Sequence, residues 1–106
     1  LNSFSRHISA LKSAVSDIAS TSKKAAAAKS EEEGTRLQEN LQKLKDQARD
    51  LMTRITAEAD RIEAQINTDL VTFQSESAVR SKLSEELTRL TKLRQNAAEQ
   101  FAKLSI

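Results

Sequence analysis

The chain has 106 residues, no cysteine, no proline and one glycine, with 30% charged residues and a formal net charge of +2. That length allows one domain, residues 1–106, with a narrow core. The missing cysteines exclude a disulfide frame and a thiolate metal site, and the small net charge gives no reason to expect nucleic acid.

Ala, Leu, Glu, Lys, Gln and Arg, which lose least on entering a helix, dominate the composition. The fold class is therefore all-α, and the three Phe with no Trp or Tyr predict thin aliphatic seams packed in coiled-coil fashion. Charge alternates along the chain. Residues 1–30 carry five bases against Asp17 alone, residues 31–70 ten acids against six bases, and residues 71–106 six bases against four acids. Such segments lie favourably beside one another in an antiparallel, up-down-up three-helix bundle, with helices at about 3–28, 31–73 and 77–104.

In the first segment Leu1, Phe4, Ile8, Leu11, Val15 and Ile18 form a heptad seam that Ser22 and Ala25 continue. Extended further, the seam would meet Lys29, Glu32, Arg36 and Glu39, whereas the next apolar stripe restarts at Leu37 about a third of a turn away. One unbroken helix would split its apolar face, so the chain must reverse near KKAAAAKSEEEGT, residues 23–35. Lys23, Lys24 and Lys29 suit the negative end of one helix dipole, and Glu31, Glu32 and Glu33 the positive end of the next. Ser30 with Glu33 forms a capping box and Thr35 with Gln38 a second candidate. Gly34 between them predicts a loop from Ser30 to Gly34.

The middle segment places Leu37, Ala48, Ala59 and Leu70 eleven residues apart, a spacing that predicts a nearly straight helix. Its stripe lapses near QSES, residues 74–77, and the next, beginning at Val79 and Leu83, returns rotated by roughly a quarter turn. Ser75 or Ser77 could cap a third helix; the alternative is one bent helix from about residue 35 onward. A middle helix of about 36 residues would overhang neighbours of ~26 by some 10–15 Å. That overhang makes Ile62, Ile66, Leu70, Val71 and Phe73 candidate partner contacts, unless the loops fold back over them.

Little in the chain suggests catalysis. His7 is the only histidine and sits just off the Phe4–Ile8 seam, as a surface or boundary residue and not a catalytic base. The carboxylates fall on solvated faces in four-residue spacings such as Glu39 with Lys43 and Asp50 with Arg54. No phosphate loop, nucleophile elbow or zinc spacing occurs, so no cofactor, metal or small-molecule substrate is expected. Arg94 falls inside the third stripe, either as a stem that packs while its head reaches water or an acid of helix two, or as a register-fixing or partner-contacting residue. Met52 is core filler.

Basic residues are dispersed without stacking aromatics, which argues against nucleic acid. Residues 1–16 hold Arg6, His7 and Lys12, no acid and an apolar face, the pattern of an interfacial helix, so peripheral membrane contact through this segment is an alternative. The eleven-residue repeat is similar to that of exchangeable apolipoproteins, although theirs is commonly punctuated by proline. No apolar run approaches the ~18 residues of a membrane span, which leaves a soluble or peripheral localisation. A first residue of Leu points to a processed chain or a piece of a longer one.

The stretches LQKLKDQARDLMTRITAEADRI (41–62) and VRSKLSEELTRLTKL (79–93), in three helices of these lengths, resemble the N-terminal three-helix domain of syntaxin-type SNARE proteins. The resemblance could span residues 4–104 and rests on apolar spacing and helix length. It implies a regulatory domain that docks a SNARE helix or trafficking factor in a surface groove. Spectrin-like repeats have similar lengths but usually carry a tryptophan in the first helix, and none is present here. The expected function is a non-catalytic helical protein–protein interaction or assembly module whose partner is another helical protein or a larger assembly.

Overall fold

A computed structural model describes residues 1–106 as three α-helices and no strand: α1 (Asn2–Ala26), α2 (Glu31–Thr72) and α3 (Ser77–Ala102). Each helix contacts both others in an all-α up-down-up bundle, and a single bent helix from residue 35 is excluded by the break after Thr72. The first reversal lies where the lysine and glutamate runs meet. Ser30 is extended (φ −139°, ψ 156°), and its Oγ accepts the Glu33 N–H at 3.1 Å. The Glu33 carboxylate accepts the Lys29 N–H at 3.2 Å, one residue earlier than a capping box would have it. Of the two candidate caps, Ser30 is the one used.

Gly34 is not part of the loop, which is confined to Ala27–Ser30; the glycine lies inside the first turn of α2. A Cβ added there would meet Ala28 Cβ at 3.7 Å, ordinary contact. The second reversal, Phe73–Glu76, is built differently. Neither expected serine caps α3: Ser77 is already helical, and the N-cap is Glu76, whose side chain makes no capping bond. Backbone bonds from Gln74 N–H to Val71 O and from Glu76 N–H to Phe73 O close the turn, and Arg80 Nη1 donates to Gln74 O at 3.0 Å.

The molecule is a rod of 68 × 19 × 16 Å with a radius of gyration of 18.8 Å, where a compact domain of this size would have about 13 Å. The reason is axial stagger. With 42 residues, α2 is ~63 Å long and spans the rod, whereas α1 and α3, at 25 and 26 residues, are each under ~40 Å. The two short helices cover different ends of α2. His7 near the start of α1 reaches Glu58, and Arg94 in the last third of α3 reaches Asp60 and Glu63. Their overlap is therefore a short central section. Toward one end only α1 and α2 pack together; toward the other, only α2 and α3.

The core has the same shape. Only 12 of 106 residues are buried, among them Phe4, Leu11, Ile55 and Leu90 with almost no exposure, so most apolar side chains are covered on one side only. Ala48, Ala59 and Ala97 are fully buried, small residues that let helix backbones approach closely. The α1 seam runs as expected to Ile18 and then through buried Thr21 in place of Ser22. On α2 the buried positions are Leu41, Ala48 and Ile55, then Ala59 and Ile66. Seven-residue spacing thus governs the core, and of the eleven-residue set only Ala48 and Ala59 are buried. Between Ile55 and Ala59 the buried line steps about 40° around the helix, where α2 passes from serving α1 to serving α3.

The expected overhang is corrected by this stagger. The C-terminal end of α2 does extend beyond α1, but α3 runs back along it. Ile66, at 3% exposure, belongs to the core and is no free contact surface, whereas Ile62 and Leu70 pack against that core and remain partly covered.

Candidate functional site

Two side-chain clusters connect the helices, and both fall on residues 58–63 of α2. From α1, His7 Nδ1–H donates to Glu58 Oε2 at 2.7 Å, with Glu58 largely shielded from water. From α3, Arg94 Nη2 donates to Asp60 Oδ1 at 2.6 Å and to Glu63 Oε2 at 2.8 Å. Arg94 occupies a seam position, so its aliphatic stem packs while its head turns to the acids of α2. One nitrogen of its guanidinium, Nη2, makes both bonds, and the side chain stays partly exposed. Elsewhere the ionic contacts are local: Asp46 accepts from Gln42 and Arg49, whereas the spacings Glu39/Lys43 and Asp50/Arg54 form no ion pair.

The exposed apolar residues lie at the other reversal. Val71 is 69% exposed and Phe73 37% exposed. Phe73 continues the line of Ile66 seven residues on, whereas Val71 stands about 140° around the helix from Ile66, off the seam. Val79, Leu83 and Leu87 of α3 lie partly covered beside this end of α2, so the α2–α3 arm carries an apolar seam with one flank open. The α1–α2 arm has a similar flank along Val15, Leu37 and Leu44, each also partly covered.

The concave surfaces are shallow and open. One depression at the start of α2 is lined by Ser30, Glu31, Glu32, Glu33, Thr35, Arg36 and Glu39. Another, where α3 ends against α2, includes Met52, Thr56, Asp60 and Phe101. No three His, Asp or Glu side chains are grouped to hold a metal ion, and no buried side-chain polar atom lacks a hydrogen-bond partner. No helix is long and apolar enough to cross a membrane.

The His7–Glu58 contact was not anticipated from the sequence. Its signal is the antiparallel register: once the chain reverses near Ser30, the first turns of α1 must lie against the middle of α2. Comparison of the chain with family models, curated proteins and solved structures gave no match.

Proposed function

We propose that the chain is a non-catalytic helical interaction or assembly module that binds through the incompletely covered seams of its two-helix arms. The stagger of α1 and α3 along α2 carries this reading. Each arm buries its apolar stripe on one side only, and one further helix beside either arm would extend the three-helix cross-section of the middle. Half-covered seams of this kind gain from association, at ~25 cal/mol for each Å² of apolar surface removed from water. The regulatory role implied by the syntaxin-type resemblance, docking a helix in a surface groove, is one form of the same proposal, with the α2–α3 arm as the groove.

Lipid-surface binding through residues 1–16 is the competing reading. It requires Phe4, Ile8 and Leu11, all in the core, to leave the bundle, so that helix packing must be lost before lipid contact is gained. Circular dichroism and sedimentation with and without anionic vesicles separate the two. The module leaves helicity and sedimentation unchanged by vesicles; co-sedimentation with altered helicity would overturn the proposal in favour of lipid.

A further inference from the structure

The five buried residues of α2 and the two of α3 fall on two positions of a single heptad register that passes through the Phe73–Glu76 reversal without a change of phase. Ile66, Phe73, Arg80 and Leu87 recur every seven residues, and so do Ile62, Asp69, Glu76, Leu83 and Leu90. The quarter-turn offset between the stripes of the two helices is largely the drift of a straight helix. At ~20° per heptad it reaches about 60° from Ile66 to Leu87, and it vanishes in a supercoil of 3.5 residues per turn. The reversal thus interrupts a repeat that the sequence carries straight through.

Nothing in the reversal forbids a continuous helix. Residues 73–76 contain neither Gly nor Pro, no residue there has a positive φ, α3 lacks a side-chain cap, and Ser75 N–H makes no backbone bond. The α3 helix is also thinly anchored. Leu90 and Ala97 are its only buried residues, and its first three turns hold none.

From these observations we propose that the chain dimerises by exchanging α3. The joint straightens, α2 and α3 merge into one helix ~108 Å long, and α3 of each copy packs on α2 of the other. The Arg94 bonds to Asp60 and Glu63 flank Ile62, and the register they imply for the hairpin pairs residues equally distant from Ala78: Ile62 with Arg94, Ile66 with Leu90, and Ala59 with Ala97. Exchange reproduces every one of these between copies, because a two-fold axis at Ala78 gives the same pairing. It adds something the monomer lacks. Glu76 of each copy comes opposite Arg80 of the other, two reciprocal ion pairs at seam positions that fix an antiparallel, in-register second copy as the occupant. The half-exposed Phe73 and the Leu83 seam then lie inside a continuous two-helix interface.

This rests on the reading as an assembly module and names its partner as a second copy. The chain has no cysteine, so Ala59→Cys with Ala97→Cys reports the exchange directly when oxidised. The expected product is a disulfide-linked dimer whose yield rises with protein concentration. Ser75→Pro, which breaks a continuous helix but costs the hairpin no backbone bond, should lower the dimerisation constant on the order of ten-thousandfold, because each dimer holds two such helices. Sedimentation of the unmodified chain should show a monomer–dimer equilibrium, weakened by Glu76→Arg and restored by Glu76→Arg with Arg80→Glu. A purely intramolecular disulfide, or a chain that sediments as monomer at all concentrations, overturns the exchange. Neither result bears on the vesicle test that decides between protein and lipid.

Discussion

Arg94 and Ile66 show how a seam position decides what a residue does. Both fall on the apolar line facing the neighbouring helix, but Arg94 is 31% exposed at its side chain and Ile66 only 3% as a residue. The arginine reaches two acids from a partly solvated position, so its ion pairs are screened and part of its contribution comes from the packed stem. Arg94→Ala should lower stability by about 1 kcal/mol, read as a modest fall in the thermal midpoint with helicity intact at room temperature. Ile66→Asp buries a carboxylate without a partner and should cost more than ~3 kcal/mol, enough to remove the cooperative transition. Val71→Asp, on the exposed flank, should shift the midpoint by under ~0.5 kcal/mol equivalent. The sequence placed Ile66 and Val71 in one class because both lie on the same end of α2. What separates them is which side α3 covers, a fact of tertiary register that spacing within one helix does not contain.

At the scale of the elements, helix boundaries were legible where side-chain chemistry marks them. Lysines before the first reversal, Ser30, and glutamates after it specify the start of α2 at Glu31, and Ser30→Ala should cost about 1 kcal/mol by freeing the Glu33 N–H. Gly34 misleads for an instructive reason. A lone glycine reads as a loop residue, but here it occupies a helical turn with room for a methyl group beside Ala28. Gly34→Ala should raise stability by ~1 kcal/mol, seen as a higher denaturant midpoint at unchanged slope. The second reversal gives no such signal, because it has no cap and no glycine. It was readable only as a lapse of the stripe, and the heptad register that runs through it explains why a single bent helix was a fair alternative.

For the whole molecule, the alternation of basic, acidic and basic segments and the separate apolar ribbons sufficed for three helices and two reversals. Axial stagger was not legible. Apolar periodicity fixes the direction in which a helix must face but not how far it slides along its neighbour. That displacement is set by the four-residue joints at Ala27–Ser30 and Phe73–Glu76, and by the His7–Glu58 and Arg94–Asp60/Glu63 contacts that meet on one stretch of α2. The same stagger leaves the arms two helices thick and so underlies both the proposed assembly role and the proposed exchange of α3. Small-angle X-ray scattering, at a concentration where sedimentation gives monomer, tests it most directly. The expected radius of gyration is close to the 18.8 Å of the staggered rod; a value near the ~13 Å of a compact domain would contradict two hairpins overlapping only at the centre.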